Sequence, residues 1–195
     1  MSAEMLDDLI DVVLDPTFDD EQREQAVLRI AKRGDGALPK LRSALESQDP
    51  DHRWWAARAL ASLGDAQAVS LLIETLSDPD PDVRACAALG LGALAAPEAA
   101  VPLARLLADD SAYVGRIAGN ALIQIGQPAV PALIEALKSD SFAVRAGAAR
   151  ALVPLESHDA IPSLFAALDD DSALATYYAQ EALERMGVGM VLVKP

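Results

Sequence analysis

Few side chains here could do chemistry. Those that titrate or act as nucleophiles near neutral pH are His52, His158 and Cys86, in a chain with 2 histidines and 1 cysteine. His52 precedes Arg53 and His158 precedes Asp159, far apart in the sequence, so no paired-ligand spacing and no Ser-His-Asp arrangement can be assembled from them. Cys86 lies in a run of small residues with no histidine base nearby and reads as a buried, inert thiol. The segment "GLGALA" (90–95, after the flank "VRACAAL") lacks the preceding strand and the Gly-Lys-Ser/Thr ending of a phosphate loop, so Gly90 and Gly92 read as points of close helix contact. No catalytic residue, metal ligand or cofactor is assigned.

Recognition chemistry is better represented. Both tryptophans are adjacent, in "HRWWAARALASLG" (52–64), and neighbouring helical residues lie about 100° apart, so the two indoles must serve different surfaces. Arginine has a planar fork that donates two hydrogen bonds to a carboxylate or phosphate. Which arginines and which tryptophan are available depends on the elements that carry them.

Those elements repeat. "DPDPDVRACAALGLGALA" (78–95) aligns with "SDSFAVRAGAARALVPLE" (139–156), matching Val83 with Val144, Arg84 with Arg145, Ala88 with Ala149, and Leu91 with Leu152. The same ruler finds "EQREQAVLRIAKRG", "DHRWWAARALASLG", "AYVGRIAGNALIQIG" and "ALATYYAQEALERMG". Their closing positions are Gly34, Gly64, Ala95, Gly126, Glu156 and Gly187, spaced by 30 or 31 residues. Each unit has another half, such as "AVPALIEALKSD" or "AIPSLFAALDDD", with apolar residues at i, i+3 and i+7, the stripe of a short amphipathic helix. Pro39, Pro131 and Pro162 sit in the first turn of these helices, where the missing N–H costs nothing. Pro102 falls one residue later, which predicts an adjusted turn in its repeat. The reading is all-α: six antiparallel pairs of a first (A) and a second (B) helix, roughly 3–34, 35–64, 65–95, 96–126, 127–156 and 157–187, with a tail at 188–195. Stacking must build one continuous core, hence one domain over 1–195.

The pattern "P-x-L-x-x-x-L-x-D…VR-x-x-A-A-x-A-L-x-x-L-G" resembles HEAT repeats, most closely the short type named after phycobilisome lyases. The resemblance implies a right-handed α-solenoid whose B helices line the concave side. It also implies a ladder in which an Asp ending helix A bonds an Arg beginning helix B. Asp78 and Arg84 match both positions, Asp109 and Asp170 the first, and Arg23, Arg53 and Arg145 the second. Ser47 and Ser139 replace the acid in two repeats, and Gly115 and Thr176 replace the arginine in two others, so Arg116 should face elsewhere. Deoxyhypusine hydroxylase, a HEAT-repeat enzyme, holds a di-iron centre on recurring His-Glu pairs that are absent here. DNA-repair glycosylases of related build line the concave side with many lysines and arginines, unlike this chain.

Each B helix can be numbered from its core position (His52, Val83, Val114, Val144, Ala175) as zero. Offsets 0, 4, 8 and 11 then fall within about 80° and should be core, while offsets 2, 6 and 9 face away. His52 stands where the others have an apolar residue and reads as a hydrogen-bonded packing residue. Offset 3, which includes Trp55, Cys86 and Ile117, should lie where repeats meet, making Trp55 a wedge. The outward offsets carry Trp54, Arg58, Leu89, Arg116, Asn120, Arg150 and Tyr177. No acidic residue stands at the matching offsets of repeats 2 to 5, so this surface is the candidate binding site, with Trp54 as an anchor beside Arg58.

Bulk composition limits the partner. The chain of 195 residues is 52% hydrophobic but only 4% aromatic, which favours packed helices over a β-sandwich. A net charge of −14 repels nucleic-acid backbones and anionic membrane surfaces. Every charged residue before Arg23 is acidic, no stretch is apolar over the roughly 20 residues of a membrane span, and the start lacks the pattern of a signal peptide. With one cysteine, a cytoplasmic setting is expected. The leading expectation is a non-enzymatic scaffold binding a peptide, helix or acidic segment of another protein, with a homodimer open through the apolar tail (Met190, Val191, Leu192). The alternative implied by the resemblance is a bilin lyase-like or bilin chaperone subunit similar to E/F-type phycobiliprotein lyases.

Overall fold

A computed structural model describes residues 3–32 and 36–188. Gly34, as a repeat closer, and the tail residues Met190, Val191 and Leu192 lie outside the described residues. Within the described residues there are twelve α-helices and no strand. The odd-numbered ones are the A helices: α1 (Ala3–Leu14), α3 (Leu38–Leu45), α5 (Ala66–Thr75), α7 (Ala100–Leu106), α9 (Val130–Ala136) and α11 (Ile161–Ala166). The even-numbered ones are the B helices: α2 (Asp20–Ala31), α4 (Pro50–Leu63), α6 (Pro81–Ala93), α8 (Ala112–Ile125), α10 (Phe142–Leu152) and α12 (Ala173–Arg185). Contacts cluster into two compact units, Met1–Leu94 and Ala95–Pro195, each holding three A/B pairs.

The helices start and stop where their sequence says they should. Asp19, Asp49, Asp65 and Asp80 occupy N-caps, and each side chain accepts a backbone N–H of the first turn, worth about 1 kcal/mol per cap. Asp19 and Gln22 complete a reciprocal capping box. The A helices of the second unit have no such cap, and each opens instead with a 3-10 turn (Pro97–Ala99, Gln127–Ala129, His158–Ala160). In these turns Ala99, Ala129 and Ala160 donate to the carbonyls of Ala96, Gly126 and Ser157, which satisfies an N–H that a side chain satisfies in α5. This opening is common to all three pairs, so the local adjustment expected at Pro102 belongs to the whole unit. Pro102 itself is the third residue of α7, still within the first turn.

The core follows predicted offsets 0, 4 and 8 except at the part-exposed His52. Ala85, Gly92, Ala146 and Val153, at offsets expected to face away, are buried too, because these small or branched residues are covered by the neighbouring B helices. One large apolar side chain from every helix is fully buried: Ile10, Ile30, Leu41, Leu60, Leu72 and Leu91 in the first unit, and Leu103, Leu122, Leu133, Leu152, Leu164 and Leu183 in the second. Neither helix of a pair could bury its stripe alone; α4 packs against α2 and α6, and α10 against α8 and α12. Gly90 serves the first of these contacts, since a Cβ there would come within 2.5 Å of the Ala61 methyl. No described helix is long and apolar enough to cross a membrane.

Candidate functional site

In the first unit the tryptophans separate as their spacing requires. Trp55 is 4% exposed, with the Arg23 guanidinium 4.5 Å from its ring centroid, so it fills the seam between α2 and α4. Arg23 is held there by Nε donating to the Val13 carbonyl at 2.8 Å and Nη2 donating to Asp51 at 2.7 Å. Trp54 is half-buried and meets Trp55 edge-on at 4.9 Å, and its carbonyl faces the Cys86 thiol at 3.7 Å. Burial pushes the Cys86 thiol up to about 12, so it stays protonated and unreactive at neutral pH.

His52 is about one-third exposed, with Nδ1 3.4 Å from the Ser47 hydroxyl and Nε2 3.9 Å from Asp49. It is a hydrogen-bonded packing residue at the start of α4. Among the described residues no group of three His, Cys, Asp or Glu side chains is disposed to hold a metal ion.

Arg58 is not an available cation. It forms an ion pair with Glu24 on α2 and donates at 2.6 Å to the Ser62 hydroxyl. Aligning Arg23 with Arg53 puts Glu24 at offset 2 of the first repeat, one of the two B helices that the comparison of repeats 2 to 5 leaves out; the other, α12, carries Glu181 and Glu184 at offsets 6 and 9. Leu28 and Leu89, at offset 6 of the neighbouring B helices, are exposed, Leu89 by 47%. The outward face of this unit is therefore apolar and aromatic around a neutralised arginine.

The second unit differs. Arg116 and Arg150 line a common hollow of about 350 Å³ beside α8, α10 and α12. Its small-residue lining includes Gly115 and Gly147, and Leu174 and Tyr178 border it. Arg150 lies across α8, where Gly119 makes room for it: a Cβ there would come within 2.6 Å of the guanidinium nitrogen. From that position Nη2 donates to the Arg116 carbonyl at 3.3 Å, its one hydrogen bond among the described residues. The Arg116 guanidinium stands 5.4 Å from the Tyr113 ring centroid. Neither arginine is in an ion pair with a described carboxylate. Asp109 and Asp110 border the hollow too, and each accepts the Ser111 N–H.

Of the seven residues expected to form the surface, the hollow takes in Arg116 and Arg150. Asn120 and Tyr177 are exposed on α8 and α12 but do not line it, while Trp54, Arg58 and Leu89 lie on the first unit. Leu174 and Tyr178 border the hollow although their offsets, −1 and 3, did not single them out for binding. Alternation of exposed and buried residues cannot reveal this; it depends on the glycines of α8 and α10 opening space beside them.

The ladder between helices is present where its residues are. Arg53 binds Asp78 through Nε and Nη2 at 2.7 and 2.9 Å, and Arg145 binds Asp170 in the same way at 2.6 and 3.0 Å. Arg53, Arg84 and Arg145 also each donate to the carbonyl six residues upstream, at 2.8 to 2.9 Å. Thr176, standing in for the arginine, donates to the corresponding Asp170 carbonyl at 3.2 Å. Where Ser47 replaces the acid, Arg23 turns to Asp51 instead.

The comparisons with known proteins agree with this architecture. The HEAT repeats family matches residues 6–76, 38–123 and 101–184, which together span nearly the whole chain. A search of curated proteins gave no match. Among solved structures, a chain of the complex of CpcE and CpcF of phycocyanin lyase from Nostoc sp. PCC7120 is 26% identical with a TM-score of 0.53, over 93% of this chain and 77% of that one. An engineered protein is 25% identical with a TM-score of 0.53, over 97% and 100% of the two chains. A designed armadillo repeat protein in complex with the peptide (KR)4 shares the fold at 20% identity and a TM-score of 0.51, over 93% and 99%. A helix-pair period of about 30 residues, an Asp–Arg ladder and a family match along the same span make this chain a member of the HEAT repeat family.

Proposed function

We propose that the chain is a non-enzymatic interaction module that docks a peptide, helix or acidic segment of another protein on its B-helix faces. The residues assigned to docking are Trp54, Arg58 and Leu89 on the first unit and Arg116, Asn120, Arg150 and Tyr177 on the second, with Arg58 acting as part of its pair with Glu24. The observation that supports this most is what the outward offsets carry in so acidic a protein. Leu89 is 47% and Tyr177 60% exposed, and Arg116 and Arg150 have no described carboxylate partner. Helical-repeat proteins commonly offer such extended surfaces to partners. The test is affinity capture from the source cells with the full chain, with Trp54→Ala/Leu89→Ser, and with Arg116→Glu/Arg150→Glu. Both variants should lose the captured partners while retaining the helical circular dichroism spectrum. An unchanged set of partners in both would exclude these faces.

A second reading is favoured by the similarity to the phycocyanin lyase chain. On that reading, arginines would pair with the propionates of an open-chain tetrapyrrole, and an aromatic side chain would stack on a pyrrole ring. Mixing the pure protein with phycocyanobilin at tens of micromolar should then shift the visible absorption band, and an unshifted band removes the reading.

A further inference from the structure

One register occurs twice in the chain with opposite consequences. In the first unit, offset 6 of one B helix reaches offset 2 of the helix before it, and the pair is Arg58 with Glu24. In the second unit, the same step of 34 residues joins Arg150 to the position of Arg116. There the side chain at offset 2 is itself a cation, so Arg150 finds only a backbone carbonyl. Two arginines thus line one hollow in a register that elsewhere holds a closed ion pair; neither is paired with a described carboxylate, and Asp109 and Asp110, which also line the hollow, accept the Ser111 N–H. A guanidinium that has no carboxylate partner keeps N–H donors open to an incoming anion, and its planar fork suits a carboxylate through two hydrogen bonds.

The surroundings of the hollow indicate what carries the anion. The first-unit B helices begin with Asp51 and Asp82 beside their core residues, whereas the second-unit helices have Tyr113 and Leu174 there and Phe142 close by. Leu174, which lines the hollow with the two arginines, is 60% exposed, so they share it with a large apolar side chain open to solvent. A free small anion would use the arginines and leave that side chain uncovered. Dense negative charge, as on a nucleic acid or a multiply phosphorylated segment, would be repelled by a chain of net charge −14. A single carboxylate matches the guanidinium fork at the lowest electrostatic cost.

Resting on the interaction-module reading, we propose that the hollow beside α8, α10 and α12 is a recognition site for a partner segment with an Asp or Glu flanked by aliphatic or aromatic residues. The carboxylate takes the position between Arg116 and Arg150 that Glu24 fills beside Arg58. The neighbouring apolar residue covers Leu174 and Tyr178.

Random dodecapeptides displayed on phage, panned against the immobilised full-length chain, test this directly. The recovered sequences should be enriched in Asp or Glu beside Leu, Ile or Phe. The best of them, synthesised with a fluorophore and followed by anisotropy, should bind at least tenfold more weakly to Arg116→Glu, which installs the same kind of pair as Arg58 with Glu24. Because that pair is internal, the melting temperature of Arg116→Glu should be equal or higher, which separates lost binding from lost fold. Replacing the peptide's acid by its amide should weaken binding by a similar factor, and Leu174→Ser should weaken it through the apolar arm alone. Acidic peptides that bind Arg116→Glu as well as the parent chain, or recovered peptides without an acid, overturn the proposal. If such peptides instead respond to Trp54→Ala, the interaction-module reading survives and this site does not; if panning recovers nothing above background, the module reading fails as well.

Discussion

Trp54 and Trp55 show how one bond along a helix changes what a side chain is for. Trp55 is enclosed between α2 and α4 under the Arg23 guanidinium, so Trp55→Ala removes both a large buried surface and a cation–π contact. The expected loss is about 3–5 kcal/mol, read by urea unfolding. Trp54 is half-buried on the outward side, and Trp54→Ala should cost under about 1 kcal/mol while reducing capture of partners. Equal destabilisation by the two substitutions would contradict this division. The assignment was legible from the 100° step alone. The state of Arg58 was not, because its partner Glu24 belongs to the first repeat, whose B helix has neither the Val-Arg start nor an apolar residue at offset 0. The hollow beside Arg150 was equally hidden: Gly119 reads as a small helical residue until its missing Cβ is seen to accommodate the guanidinium.

At the scale of the helix, the repeat closers explain why the period is so regular. Gly64, Gly126 and Gly187 have φ values of 66°, 78° and 72°, and the corresponding Ala95 and Glu156 are forced to 48° and 45°. Every described B helix from α4 onward is thus followed by a residue of positive φ, which at the first four of these ends turns the chain into the next repeat. Two of these residues carry a Cβ, at roughly 1–2 kcal/mol each, and glycine would remove that strain at some cost in unfolded-state entropy. Glu156→Gly should therefore stabilise the chain by about 0.5–1 kcal/mol, seen as a higher urea midpoint. Gly64→Ala should act in the opposite direction, because its Cβ would also come within 2.9 Å of Leu94. A destabilised Glu156→Gly would mean that the side chain makes a contact worth more than the strain. Sequence spacing revealed these closers because the conformation recurs even where the residue type does not. It did not reveal the 3-10 openings, which follow from missing N-caps at Ala96, Gly126 and Ser157.

Within each unit of the molecule, repeats are tied to one another by packing and by the ladder, and the ladder makes stability depend on pH. Arg145 and Asp170 are nearly buried, with side chains 12% and 8% exposed, and Asp171 adds a third charge from the solvent side. The hydrogen bonds from Arg145 hold the Asp170 carboxyl below its usual value of 3.8, outweighing the burial that would raise it. A carboxyl whose folded value is depressed contributes stability above its unfolded value and loses that contribution as pH falls through the folded one. Asp170→Asn should thus cost about 2 kcal/mol at pH 7. The cost is lower than for a fully buried pair because Asp171 can still reach the guanidinium. The gap between variant and parent should stay constant down to about pH 5, begin to narrow near the ordinary carboxylate value and close only as pH falls through the lowered folded value, where the parent's own Asp170 takes up a proton. Thermal melts of both proteins at pH 7, 5 and 3 measure this: the gap should narrow toward pH 3, and the absence of a gap at pH 7 would mean that Asp170 acts mainly by accepting the backbone N–H of Ser172, a role that the amide oxygen of asparagine retains, rather than through its charge.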